Sequence, residues 1–156
     1  MKHILTVAAL AGLLGLSGCQ SFDDRAECRT NADALGRAVR ETVLFQEALR
    51  IELREGFTAL EACQDRSDVC RGEEWLVRAE QLRLQHMAVA SGLAGASEAY
   101  DAARCETVVA GSELSEVVDP EIGAPPPETW RGLHSSLDQT GGQIQRLIEG
   151  FRVYAR

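Results

Sequence analysis

Two stretches of equal length, each bounded by cysteines, constrain this chain more than any other feature. Cys28 to Cys63 spans 35 residues, and Cys70 to Cys105 also spans 35. Both stretches carry helical periodicity. From Asp24 to Cys63 there is no proline, and apolar or small residues recur along one line: Cys28, Ala32, Leu35, Val39, Thr42, Gln46, Leu49, Leu53, Gly56, Leu60, Cys63. A mean step of 3.5 residues over five heptads predicts a long helix packed in a near-coiled-coil manner. Leu44, Ala48 and Ile51 widen that face, as a helix with more than one neighbour requires. Gln64 to Gly72 is polar and reads as a turn. A second helix is expected from about Glu73 to Ala103, with Glu73 and Glu74 in its first turn, where the helix dipole favours acids. Its line is Trp75, Ala79, Leu82, His86, Val89, Leu93, Ala96, Tyr100, Ala103. Val77, Leu84 and Ala88 lie on another side, which predicts that the first half of this helix touches two partners.

Four cysteines allow three pairings. Each stretch, as a helix, is a rod of roughly 50 Å. Pairing Cys28–Cys63 and Cys70–Cys105 would ask rod ends roughly 50 Å apart to meet within ~6 Å. Pairing Cys28–Cys70 and Cys63–Cys105 would need parallel rods, and the six residues from Gln64 to Val69 span only about 20 Å. The nested pairing remains, with Cys63–Cys70 at the turn and Cys28–Cys105 at the open end. Each pair has the index sum 133, as an antiparallel hairpin requires. Cys70 and Cys105 fall off the second helix's apolar line, so they are expected just beyond its ends. A metal site is not indicated, since no Cys-x-x-Cys occurs and His86 and His134 lie away from the cysteines.

Within the second helix, Ser91, Gly92, Gly95 and Ala96 form a cluster of small residues. Such residues permit close helix approach, so a tight contact with another helix is expected there. A docking groove for a partner is the rival. Glu106 to Pro127 then breaks the helical pattern, with acids followed by Pro120 and the run Pro125-Pro126-Pro127, and reads as an acidic linker ending in polyproline. Such a run can also serve as a ligand for another protein. A third helix follows, with the line Trp130, Leu133, Leu137, Thr140, Ile144, Leu147, Phe151, Tyr154, which Ile148 widens and Gly141-Gly142 interrupts. Its expected role is to cover the hairpin and complete a three-helix bundle, docked in either direction, since the linker reaches ~70 Å when extended.

The chain starts with a short positive segment, Met1-Lys2-His3, and an uncharged apolar run from Ile4 to Leu16. A bilayer-spanning helix needs ~20 apolar residues, so thirteen read as a signal h-region. The run ends in Leu16-Ser17-Gly18-Cys19, which resembles the lipobox of bacterial lipoproteins. That resemblance covers about the first twenty residues. It implies cleavage before Cys19 and a lipid on that cysteine, anchoring the chain to a membrane. Gln20 stands where aspartate would favour inner-membrane retention, so the resemblance implies the outer membrane, facing the periplasm. There, disulfides persist. Cleavage would remove the only lysine and leave fifteen arginines against twenty-four acids, a net charge of −9.

That acidic balance excludes nonspecific nucleic-acid binding, which needs a basic field. No phosphate loop, dinucleotide fingerprint or nucleophile elbow occurs. Carboxylates alternate with arginines at helical spacing, as Glu80 does with Arg83, and read as solvated faces. No enzyme activity and no cofactor are expected. The expected organisation is a signal peptide (1–18), a lipidated tether (19–23), a disulfide-stapled antiparallel hairpin (24–105), the linker (106–127) and the C-terminal helix (128–156), an all-α architecture. The expected function is that of a lipid-anchored adaptor or accessory subunit for an envelope protein partner. The candidate partner residues are Ser91, Gly92, Gly95, Ala96, Pro125, Pro126 and Pro127. An inhibitor or immunity-type lipoprotein and a carrier of an apolar ligand are the alternatives. The sequence assigns no oligomeric state.

Overall fold

A computed structural model describes residues 17–66, 70–105 and 127–155. It is all-helical, with α1 (Ser17–Asp65), α2 (Gly72–Ala102) and α3 (Pro127–Arg152) forming a three-helix bundle. Residues 1–16 of the signal segment lie outside the described residues, as do Pro125, Pro126 and all of the linker except Pro127.

Both nested disulfides are present. Cys28 and Cys105 have Cα atoms 5.3 Å apart, and Cys63 and Cys70 have theirs 4.7 Å apart. The pairing fixes the register of the hairpin, so residues of α1 and α2 whose numbers sum to 133 lie level. Cys70 precedes the start of α2 and Cys105 follows its end. The backbone leaves α2 through Arg104 at φ 51°, the left-handed conformation that turns a chain out of a helix.

The predicted line of α1 is the buried one: Cys28, Ala32, Leu35, Val39, Thr42, Leu49, Leu53 and Cys63 are all in the core. The core has two apolar clusters. At the open end Cys28, Ala32, Leu35 and Val39 meet Leu93, Tyr100, Cys105, Trp130 and Leu137. At the turn Leu49, Leu53 and Cys63 meet Ala79, Leu82, Ile144, Leu147, Ile148 and Phe151. The start of α3 therefore packs at the open end and its finish at the turn. This settles the direction that the linker left open: α3 runs parallel to α1 and antiparallel to α2.

A polar waist separates the clusters. Thr42 Oγ1 donates to the Ala38 carbonyl at 2.8 Å, and Thr140 Oγ1 donates to the Leu137 carbonyl at 2.9 Å. His86 Nε2–H donates to the same Leu137 carbonyl at 2.8 Å, crossing from α2 to α3. A Cβ on Gly141 would stand 3.0 Å from the His86 ring, so this glycine makes room for the imidazole.

Three expectations need correction. Leu44, Ala48 and Ile51 do not pack on a second neighbour among the described residues; all three are exposed, Leu44 by 65 %. Val77, Leu84 and Ala88 are exposed as well. Three helices close one core, so among the described residues none covers the side of α1 and α2 opposite it. Gly141-Gly142 does not interrupt α3, which runs through both, because packing on α2 outweighs their low propensity. The backbone of 19–23 is helical and belongs to α1, since nothing from Cys19 to Asp24 breaks a helix.

Candidate interaction surfaces

Two surfaces stand out, one on each side of α1. The first is a groove between α1 and α3 with a volume of about 530 Å³. On the α1 side lie Val43, Leu53 and Phe57, with Arg50 and Arg54 at the rim; the α3 side offers Ser136, Gln139, Thr140 and Gln143. It is an amphipathic slot, with apolar side chains mainly on α1 and amide and hydroxyl groups on α3.

Gln46 sits in its floor. Ser136 Oγ donates to Gln46 Oε1 at 3.2 Å, while the buried Nε2 has no partner. Turning the amide over would only exchange which of its two ends is unpaired. A buried amide end without a partner costs about 1–3 kcal/mol, and a polar atom from a bound molecule would remove that cost. Gln46 stands on the core line in the sequence, and its departure from apolar character was the one available signal of this groove.

The second surface is the face of the hairpin turned away from α3. Two shallow depressions run along the α1–α2 seam. One is lined by Ala38, Glu41, Ala88, Val89, Gly92 and Leu93, the other by residues that include Phe45, Ala48, Gln81 and Gln85. No α3 residue lines either. Helical spacing sets Leu44 and Ile51 beside Ala48, and Val77 and Leu84 beside Gln81 and Ala88.

The sequence-predicted residues distribute as follows. Ser91, Gly92 and Gly95 are exposed, and a Cβ on either glycine would meet nothing within 4 Å. The expected tight helix contact is therefore absent at both glycines, because they sit outside the α2 stripe that faces the core. Ala96 is half-buried against the open-end cluster. Pro127 is the first residue of α3, a position where its missing N–H costs nothing. Cys19 lies in the first turn of α1. The four remaining cysteines form the two disulfides.

Both histidines with described side chains serve the α2–α3 contact. His134 Nε2–H donates to Ser97 Oγ at 3.2 Å, since the Ser97 hydroxyl itself donates to the Ala94 carbonyl, and its ring meets Trp130 edge-on. No group of three His, Cys, Asp or Glu side chains able to hold a metal occurs among the described residues. None of the helices there is long and apolar enough to cross a membrane. No protein-family model, characterised protein or solved structure matches this chain.

Proposed function

We propose that this protein is a non-catalytic, lipid-anchored helical rod on the periplasmic side of the outer membrane, serving as an adaptor or accessory subunit for another envelope protein. The observation that carries this reading is directional. The Cys28–Cys105 clamp, the end of α2 and the start of α3 share one end of the bundle, and α1 overhangs that same end. Cys19 lies nine residues before Cys28, about 14 Å along a helix. A lipid on Cys19 would fasten the open end to the bilayer and leave the turn, with Cys63–Cys70, roughly 50 Å further out.

The groove between α1 and α3 is the partner seat in this reading. It opens along the side of the rod, and its unpaired Gln46 amide favours a ligand that brings a hydrogen-bonding group, as an extended or helical protein segment does. The linker's acids follow Cys105, at the anchored end, and disfavour collapse of the rod onto anionic headgroups.

A photo-crosslinking residue at Gln139 or Gln143, introduced in living cells, tests the reading. The expected result is a discrete adduct with one envelope protein, identified by mass spectrometry and lost on Phe57→Glu. Absence of any adduct at both positions would overturn the adaptor assignment. Cys19→Ser is expected to move the protein from the membrane to the soluble fraction; retention in the membrane would overturn the anchor.

A further inference from the structure

We infer that the outer face of the hairpin binds a second copy of this chain, about a two-fold axis parallel to the rod. The inference leans on the anchor reading for the strength of the pairing and for one argument about its axis. The face carries Leu44, Ile51, Val77 and Leu84, exposed by 65, 50, 54 and 61 %. Two exposed apolar pairs, one on each helix, mark this face as an interaction site.

The arrangement of these residues is self-complementary. A two-fold axis along the rod lays α1 of one copy over α2 of the other, antiparallel and at unchanged height. On α1, one heptad row reads Arg37, Leu44, Ile51, Thr58; on α2, one row reads Glu98, Ser91, Leu84, Val77. Taken in that order, every pair has the index sum 135. Level residues have the sum 133, so each pair is displaced by the same two residues, about 3 Å, within side-chain reach.

The matches are chemical as well as geometric. Arg37 meets Glu98, Leu44 enters the small-residue patch of Ser91 and Gly92, and Ile51 meets Leu84. Beside them Ala48 faces Ala88, which lets the backbones come close. The two-fold repeats each contact. It also keeps both open ends on one side, so both lipids can enter one bilayer; an axis across the rod would set them at opposite ends.

The area bounds the strength. Two helices about 20 Å wide together, over some 30 Å of length, give roughly 600 Å² per copy, near the lower limit for specific association. Pairing is weak in dilute solution and strengthens when lipids confine both copies to one surface.

The test uses the full-length protein reconstituted in phosphatidylethanolamine–phosphatidylglycerol vesicles, with a benzophenone residue at Leu44, Leu84 or, as control, Gln145 on exposed α3 surface. Adducts of double mass are expected from Leu44 and Leu84 and not from Gln145. Peptide mapping should join Leu44 of one copy to the segment around Ser91 of the other. Gly92→Trp has open space in its own chain, so helicity and disulfides should persist while the adduct falls about tenfold. Absence of adducts, mapping of Leu44 onto Leu44, or an undiminished yield in Gly92→Trp would each overturn the pairing. The same mapping in concentrated detergent solution needs no anchor, so failure of the anchor reading stays separate.

Discussion

The two ends of the rod are held by opposite means. At the open end the apolar cluster includes Ala32, Leu35, Val39, Leu93 and Tyr100, and its Trp130 buries an indole N–H with no acceptor. At the turn the cluster has six large aliphatic residues around Phe151, whose ring stacks on Trp75 at 5.9 Å while Arg78 covers Trp75 at 4.7 Å. The disulfides run the other way. Cys28–Cys105 closes a sequence separation of 77, Cys63–Cys70 one of only 7. In the chain-entropy picture the long closure contributes about 4.5 kcal/mol and the short one about 2.5 kcal/mol. The end that buries an unpaired indole N–H thus has the stronger covalent clamp. A long two-sided seam cannot zip from the turn alone without leaving its far end to fray.

The largest effect should come from the open-end clamp. Cys28→Ser with Cys105→Ser is expected to cost about 4 kcal/mol in urea denaturation and to raise amide exchange at Ala32 and Leu35 before Leu49 and Leu53. Uniform exchange along α1 would break the contrast. Phe151→Ala should cost about 3–4 kcal/mol by leaving a cavity under Trp75, against about 2–3 kcal/mol for Leu35→Ala at the other end. Cys63→Ser with Cys70→Ser should cost only about 2 kcal/mol, with protection at Leu147 and Phe151 retained, since packing already holds that end. Gly72→Ala should cost about 1–3 kcal/mol at the turn, because its Cβ would lie 2.6 Å from the Tyr154 backbone. Smallest is Arg78→Gln, which faces Glu52 and Glu55 across the hairpin at a half-exposed site and should cost under about 1 kcal/mol.

Much of this fold was legible from cysteine spacing alone, because a short link between two long rods admits one pairing. The core lines of α1 and α2 followed from periodicity for the same reason: burial has one direction when the helix is long. The direction of α3 was not legible, since a linker from Glu106 to Pro127 reaches either end. Periodicity also could not show which extra apolar residues stay uncovered. Leu44 and Leu84 look like core-widening positions until the third helix is placed on the opposite side. The groove was hidden because Gln46 and Ser136 are 90 residues apart and meet only in the folded bundle.

The measurement that tests the account most directly is the height of the two ends above a bilayer. A fluorophore clicked onto an azido residue at Asp33 or at Asp65, in the lipidated protein on vesicles containing acceptor lipids, reports each height by energy transfer. The account predicts strong transfer from Asp33 and little from Asp65, which lies about 48 Å further along the helix. Equal transfer from both positions, or stronger transfer from Asp65, would contradict a rod fastened by its open end.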